Sequence, residues 1–353
     1  MIMLLLFYIV SLSLVAFSSK RDIPRIFMVI VASLGVLSFF YTPNEEADLY
    51  RHYENIVFYG EMGLEWVLEN RTHINPLTSL LLYSFSLFDE PRMFASFSVL
   101  VTYGFSFALI YKVSKFYSLS QSKIFFLSAF VLLNWNYLLV VSNCRIFMLY
   151  AILAYYFYME FIEDRCHKSA IVVYLASVLF HYGILLILVP RLFLYLYNQN
   201  NKFFYVLLLV MLVLSVTFAD SLYQIVLFKS MLEMAEAYED YKTFGVLQYL
   251  NSILCIVVCC LSCIVHRARL SENKEFQYLF WLIILLILFQ ITNFQVVYRE
   301  SNVIASLSVV LFAQIIKLGN HNFMRTILST QCFITFMYYL WFVYSYMEFK
   351  FVL

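Results

Sequence analysis

The sequence predicts an all-α integral membrane protein, and its composition is the first reason. The 353-residue chain is 63% hydrophobic and 13% charged, with a mean hydropathy of +0.83. Soluble domains average about 25% charged residues. Most of the chain falls into apolar runs long enough to enter a bilayer, and the basic residues gather in short loops between these runs. Together these features predict a polytopic chain of about twelve transmembrane helices.

The predicted helices follow the apolar runs in chain order, some of them short or re-entrant. No linker or internal repeat divides the chain, so residues 1–353 are expected to form one transmembrane domain. The acidic segments 42–76 and 220–244 are too short for independent folds and are expected to be outer loops. Within the first, the residues around Trp66 suggest an amphipathic surface helix. The predicted spans are 1–17, 25–41, 93–111, 124–141, 146–162, 168–180, 183–197, 203–219, 245–265, 276–292, 300–317 and 326–347.

The distribution of basic residues predicts the orientation of the chain. Lys20 and Arg21 follow the first apolar run, so the positive-inside rule places the N-terminus outside. The two acidic segments then also fall outside. The basic residues of the predicted inner loops include Lys112, Lys115, Lys123, Arg165, Lys168, Lys202, Arg267, Arg269, Lys274, Lys317 and Arg325.

Two stretches require a choice between alternatives. Residues 74–88 are apolar but short, and a full span there would move the lysines of 112–123 outside, so a re-entrant or interfacial segment is predicted. Residues 168–197 are predicted as two short helices turning at His181, because one span would place 220–244 inside. The scarcity of Gly (7) and Pro (5) weighs against broken helices and hence modestly against a transporter.

Several chemical classes are excluded by what the sequence lacks. It contains no phosphate-binding glycine loop and no zinc-protease motif. The cysteines between 255 and 263 lie in one apolar run without His or acid, so packing in lipid is expected there. The net charge of +1 does not indicate nucleic-acid binding. Neither a metal nor a cofactor is therefore expected.

Five ionisable residues at the outer edges of predicted spans are the candidates for chemistry: Asp48, Arg51, Arg145, His181 and Arg299. Hydrocarbon penalises a charge by roughly 2.5–3.5 kcal/mol at a helix centre, and by less near the edge. A charge kept close to that boundary is therefore a candidate for function.

Arg145 is the most informative of these candidates, because no acid lies near it in the sequence to pair with its charge. A guanidinium in such a place must find an anion in the fold or in a ligand. One alternative is a structural ion pair with Asp48 or Asp220. The other is a fork for phosphate oxygens, since Arg suits bidentate contact with oxyanions.

His181 and Arg299 carry similar alternatives. His181 is either a hydrogen-bonded structural residue or, at the predicted outer turn, a general base or phosphate ligand. Arg299 is adjacent to Glu300 and either forms a simple loop pair or adds a second cation to the same cavity.

The order of these residues along the chain resembles that of a known family. An outer D-x-Y-R-x-Y sequence at 48–53 is followed by Arg145, a basic inner turn at 165–168, an apolar run closing in Phe-His at 180–181, and a late Arg299. This order is similar to that of the EpsG-type group of Wzy-like polysaccharide polymerases, found in bacterial capsule, exopolysaccharide and O-antigen clusters. The likeness covers most of the chain by topology and rests on a handful of residues.

The resemblance implies a GT-C-like membrane glycosyltransferase in the bacterial inner membrane, with its active site facing the periplasm or outside. Such polymerases join undecaprenyl-diphosphate-linked oligosaccharide repeat units by inverting-type transfer without a metal. The implied partners are the lipid-linked donor and acceptor, membrane lipids and a chain-length regulator protein.

The resemblance also implies roles by position. Arg145 and Arg299, together with Arg51, would hold the diphosphate. Either Asp48 or His181 would be the base that activates the acceptor hydroxyl. Positive charge at the membrane surface is what a departing diphosphate requires.

Aromatic residues of the first outer segment complete the expected site. Tyr50 and Tyr53 lie on the same predicted side and are expected to stack on sugars. Two features depart from the family pattern. Ala47 stands where the family often has a Gly before the acidic residue, and the second outer loop at 220–244 is short.

Two other functions stay open on the sequence alone. A membrane O-acyltransferase acting on a polysaccharide also needs a histidine in a membrane cavity, and it would be expected to place His181 on the inner side. A flippase or other transporter of lipid-linked glycan would be expected to show alternating access and a central basic cavity.

Overall fold

A computed structural model describes residues 2–191, apart from 44, 46, 72–74, 136, 166, 182, 186 and 189–190, together with 309, 310, 313, 326, 329, 330, 333, 334 and 337. This part of the chain is helical, as the sequence predicts. Its elements are α1 (Ile2–Phe17), α2 (Ile23–Phe39), α3 (Asp48–Asn70), α4 (Pro76–Ser86), α5 (Arg92–Phe116), α6 (Gln121–Asn134), α7 (Tyr137–Ser142), α8 (Cys144–Phe161) and α9 (His167–Phe180).

Two of the described helices, α5 and α8, are long and apolar enough to cross a membrane by length and composition. Apolar stretches of α1, α2, α6 and α9 are shorter, between 10 and 17 residues. The predicted spans from 203 to 292, and the acidic segment 220–244, lie outside the described residues. So do most of 300–317 and 326–347.

Helix α5 lies at the centre of the described bundle, between α2 and α8, while α1 packs on α6. Apolar side chains on α5 are buried along its whole length, among them Phe94, Val99 and Val113. The ring centroids of Phe107 and Phe27 of α2 are 4.6 Å apart. Close packing of this kind gains van der Waals contact between neighbouring helices and holds them against one another.

The helices alternate in direction as the predicted topology requires. The end of α2 meets the starts of α5 and α8, because the Arg92 guanidinium lies 4.8 Å from the Phe39 ring centroid and the Tyr41 hydroxyl lies 3.4 Å from that of Ser142. We call this the site end. The Nζ of Lys112, near the end of α5, lies 3.3 Å from a carboxylate oxygen of Glu163 beyond α8. The predicted outer and inner residues therefore occupy opposite ends of the bundle.

The predicted span 124–141 is two helices, broken at Trp135. The Tyr103 hydroxyl donates a hydrogen bond of 2.6 Å to the carbonyl of Trp135. The backbone N–H of Tyr137 donates to the Tyr8 hydroxyl at 3.2 Å. These phenols satisfy backbone groups that the break exposes. A helix is thus broken here without Gly or Pro, since tyrosine hydroxyls hold the break. The scarcity of Gly and Pro is therefore weaker evidence against a transporter than the sequence alone suggests.

The chain reverses direction after Phe180, where α9 ends. The Nε of Arg191 donates to Glu160 on α8 at 3.2 Å, and its guanidinium lies 5.0 Å from the Tyr174 ring on α9. A continuous helix would separate residues 174 and 191 by about 25 Å. The predicted turn at 181–183 is thus confirmed. Residues 192–197 of the second predicted short helix lie outside the described chain.

The first outer segment, predicted as a loop, contains the 23-residue helix α3. Its amphipathic character agrees with the pattern around Trp66, and it bends at Gly63, whose φ of 81° suits glycine. Helix α3 packs on α4, which has 11 residues and is therefore about 16 Å long. A bilayer core is about 30 Å thick, so α4 alone does not span it. This agrees with the re-entrant or interfacial prediction for 74–88.

Candidate functional site

Two helix starts bring four ionisable residues together at the site end. We call them the charge cluster: Asp48, Arg51 and His52 at the start of α3, and Arg145 in the first turn of α8. One oxygen of Asp48 lies 3.3 Å from Nη2 of Arg51, and the other lies 3.2 Å from Nε2 of His52. The i, i+3 and i, i+4 spacing on α3 sets these contacts. Helix α3 packs on α7, which directly precedes α8, and this brings Arg145 close to them.

Asp48 stays ionised in this cluster. Its side chain is 26% exposed. Burial alone would raise its pKa, but the contact with His52 and the positive charges of Arg145 and Arg51 outweigh burial and lower the pKa below its usual range. The start of a helix also favours a carboxylate. The cluster therefore holds a permanent negative charge beside two arginines.

His52 is the most buried member of the cluster, with 5% of its surface exposed. Its ring meets that of Phe94 edge to face, with centroids 5.5 Å apart. Neither ring nitrogen completes a hydrogen bond with a described residue, although Nε2 approaches Asp48. Burial lowers the pKa of His52 in spite of that carboxylate, so the imidazole is neutral at neutral pH. Sequence reasoning did not select His52, although its i, i+4 spacing from Asp48 marks it.

Arg145 is the cation without a complete set of partners. Its Nε is buried and has no hydrogen-bond partner among the described residues. Its charge contributes to the low pKa of Asp48, yet these two described residues form no direct ion pair. The start of a helix disfavours a cation, because the helix dipole is positive there. The alternative of a direct structural ion pair with Asp48 is therefore not realised, and Asp220 lies outside the described residues.

The two predicted sugar-stacking tyrosines have different surroundings. The hydroxyl of Tyr53 is buried. It lies near Cys144, the first residue of α8, and near Tyr41, which follows α2. Tyr50 lies beside Glu54, whose negative charge raises the pKa of the phenol. Of the two, Tyr53 is the one that lies near Cys144, the residue before Arg145.

His181 lies at the turn after α9 and apart from the contacts of the charge cluster. Its Nδ1 accepts a hydrogen bond of 3.0 Å from the backbone N–H of Gly183, and Thr78 of α4 donates to the adjacent Phe180 carbonyl at 2.6 Å. Tyr174 bonds to Glu160, so antiparallel packing places His181 roughly 12 Å short of Arg145 along the α8 axis. Arg299 lies outside the described residues.

Within the described part of the chain, no group of three or more His, Cys, Asp and Glu side chains converges as a metal site would require. The chemistry available at the site end is instead that of two arginines, one carboxylate, one neutral imidazole and nearby hydroxyls. Comparison of the chain with protein-family models, with curated proteins and with solved structures gives no match.

Proposed function

We propose that this chain is a membrane glycosyltransferase that polymerises undecaprenyl-diphosphate-linked oligosaccharide repeat units. The observation that carries the proposal is the charge cluster, in which Arg145, at the start of a helix, has an Nε without a partner among the described residues. The order of motif residues that resembles the EpsG-type and Wzy-like polymerases supports the same assignment.

The outward faces of the helices support a multi-pass position in the bacterial inner membrane. Large apolar side chains are strongly exposed on three helices, among them Phe17 (91%), Met28 (64%), Val172 (65%) and Leu175 (63%). Large apolar side chains exposed on several helices are expected where lipid or a partner covers the surface. Lipid tails would cover it, and the site end would then face the outside, as the positive-inside rule predicts.

The charge of the leaving group accounts for the presence of two arginines in the charge cluster. Outside the inner membrane the donor sugar is carried on a lipid diphosphate, and the departing diphosphate gains negative charge in the transition state. Arg145 would bind its oxygens through the planar fork, and Arg51 adds a second positive charge. The α8 N-terminus contributes a further partial positive charge at the same place. Arg299 is a third candidate for this role.

The carboxylate of Asp48 is our candidate base. The acceptor hydroxyl attacks the anomeric carbon, its proton passes to Asp48, and the electron pair of the broken carbon–oxygen bond leaves with the diphosphate. Attack opposite to the leaving group inverts the anomeric centre. A low pKa makes Asp48 a weak base, which is adequate when the hydroxyl loses its proton late in bond formation. His181, which lies farther from Arg145, is the second candidate base.

One observation favours the transporter alternative, namely the helix broken at Trp135. Carriers often place their substrate at such a break. The break here is closed by the hydroxyls of Tyr103 and Tyr8, which leaves fewer free backbone groups for a cargo. We therefore rank the carrier second.

Reconstitution separates the two functions. Purified protein in liposomes, given lipid-linked repeat units on one side only, should convert them to longer lipid-linked chains, read by gel or mass spectrometry. Arg145→Ala should abolish elongation at equal protein incorporation. Movement of repeat units across the bilayer without elongation would instead assign the chain as a carrier and end the polymerase proposal.

A further inference from the structure

We propose that a group of buried hydroxyls beside the charge cluster binds the sugar ring attached to the lipid diphosphate. We call it the hydroxyl pocket: Tyr53 of α3, Ser98 of α5 and Tyr137 of α7. This inference rests on the proposed function and adds to it the place of the donor sugar.

The three hydroxyls share an unusual state. Each oxygen is buried and makes no hydrogen bond of good geometry with a described residue, although the Tyr137 hydroxyl lies beside that of Ser38 and the Ser98 hydroxyl beside the Cys144 thiol. Buried polar groups are nearly always partnered, by protein, water or ligand. Three such groups from three different helices therefore indicate a place where something else supplies the hydrogen bonds.

The hydroxyl pocket is continuous with the charge cluster. Tyr53 lies near Cys144 and Tyr41, and Tyr137 lies near both of these tyrosines. Ser98 contacts the Cys144 thiol, which in turn lies near Asp48 and directly precedes Arg145. A ligand held by Arg145 at its diphosphate would thus extend its next chemical group toward these hydroxyls.

Other hydroxyls near these three have partners. Tyr103 donates to the Trp135 carbonyl at 2.6 Å, and Thr102 donates to the Ser98 carbonyl at 2.8 Å. Ser114 and Gln121 carry unpartnered buried oxygens at the opposite end of the bundle, away from the charge cluster. Of the described residues, Tyr53, Ser98 and Tyr137 are therefore the ones that place such hydroxyls beside the charge cluster.

The chemistry of the pocket selects a neutral, hydroxyl-rich ring. A pyranose offers several hydroxyls that both donate and accept, as phenols and serine hydroxyls do. Its C–H face packs against aromatic rings, which Tyr53 and Tyr137 supply. The pocket contains no charged side chain of its own, so recognition of the ring would be separate from recognition of the diphosphate by Arg145.

Binding to two forms of the carrier lipid tests this separation. The full-length protein in detergent is titrated with undecaprenyl diphosphate alone, and with the same lipid bearing single hexoses or N-acetylhexosamines. We expect at least one sugar to tighten binding by roughly tenfold. This gain corresponds to about the net free energy of one well-formed hydrogen bond. Tyr53→Phe and Ser98→Ala should remove that gain and keep binding of the bare lipid.

Tyr103→Phe is the matched control, because it removes a phenol that already has a partner. It should lower the melting temperature by on the order of 2 °C and keep the sugar-dependent gain. Tyr53→Phe should leave the melting temperature unchanged or raise it, since an unpartnered hydroxyl is lost. Equal binding of bare and sugar-bearing lipid, or a gain retained in both Tyr53→Phe and Ser98→Ala, would overturn the proposal and leave only trapped water in the pocket.

The two proposals fail in different ways. Failure of the proposed function appears as wild-type protein that binds neither lipid or does not elongate chains. Failure of the hydroxyl pocket appears as tight binding of the diphosphate that is indifferent to the sugar. Arg145→Ala should weaken binding of both lipids by the same factor, which keeps the sugar-dependent ratio intact.

Discussion

The described chain contains two groups of buried charge, and they are built in opposite ways. In the first, Glu160 of α8 accepts hydrogen bonds from the Tyr174 hydroxyl at 2.6 Å and from Arg191 at 3.2 Å, and the guanidinium also lies on the Tyr174 ring. In the second, the charge cluster, Arg145 has an Nε without a partner among the described residues, and both ring nitrogens of His52 lack complete hydrogen bonds there. Within the described part of the chain, the first group therefore satisfies its own charges and the second does not.

This difference between the two groups indicates which residues support folding stability and which are available for function. A satisfied buried ion pair holds helices together, and removing one partner leaves an uncompensated charge. An unsatisfied cluster has a folding cost that ligand binding can recover. Substitutions in the two groups should therefore affect stability and activity in opposite proportions.

The largest effect is expected for Glu160→Ala. It would leave Arg191 without its carboxylate in a site where the two side chains are only 22% and 8% exposed. The expected loss is about 3–5 kcal/mol of folding free energy. Thermal unfolding of the purified protein, and its abundance in membranes, measure this. The matched control is Glu163→Ala, whose partner Lys112 is more exposed; equal loss in both variants would contradict the comparison.

Arg145→Ala is expected to show the reverse pattern. Loss of a charge-assisted contact to the diphosphate should cost on the order of 1.5–3 kcal/mol in the transition state, or roughly 10- to 150-fold in rate. Arg145→Lys should fail nearly as badly, because a point charge does not replace the planar fork. Chain length of the polymer at equal protein abundance is the measurement.

Arg25→Ala serves as the control for Arg145, since Arg25 is 82% exposed and pairs with the nearby Asp22. It should leave chain length unchanged. Normal chains in Arg145→Ala, or a loss of folded protein that Arg145→Lys restores, would assign Arg145 to structure instead of to the substrate.

The pH dependence of stability should report His52. Its pKa is lowered in the folded protein by burial, so the unfolded chain binds more protons as the pH falls through the ordinary histidine value of about 6.5. Stability should therefore fall on going from neutral to mildly acidic pH. Asp48, whose pKa is also lowered, adds a second loss below about 3.9. Melting curves of His52→Gln should lack the first loss and keep the second; an unchanged profile would contradict the neutral, buried state.

The smallest effect is expected for Arg51→Ala. Its side chain is 59% exposed, and exposed ion pairs contribute about 0–1 kcal/mol. Stability should change little, and the elongation rate should fall by less than about fivefold. A loss of elongation rate as large as that of Arg145→Ala would show that Arg51 contributes as much as Arg145 to binding the diphosphate.

Apolar periodicity and charge were enough to predict most of the described helices. Helices α1, α2, α8 and α9 begin and end within about three residues of the predicted spans, because a long apolar run bounded by charges has few alternatives in a bilayer. The chain reversal at His181 was predicted because a single span over 168–197 would place the acidic segment 220–244 inside. The isolation of Arg145 in an apolar run predicts a need for an anion, and the described residues leave its Nε without a partner.

Long-range contacts account for what the sequence did not reveal. The break at Trp135 depends on Tyr8 and Tyr103, and nothing in the local sequence indicates their hydroxyls. His52 resembled an ordinary interfacial residue because its burial comes from Phe94 on another helix. The difference between Tyr50 and Tyr53 likewise depends on where α8 begins.

The break at Trp135 also has a consequence for biogenesis. The chain from 124 to 141 leaves the ribosome as one apolar stretch, and the Tyr8 hydroxyl that receives the Tyr137 N–H was made 129 residues earlier. We expect this stretch to enter the bilayer as a single segment and to divide only when α1 and α5 dock beside it. Maturation of the site end would then be a late event, and Tyr8→Phe should delay acquisition of protease resistance after synthesis without reducing membrane insertion.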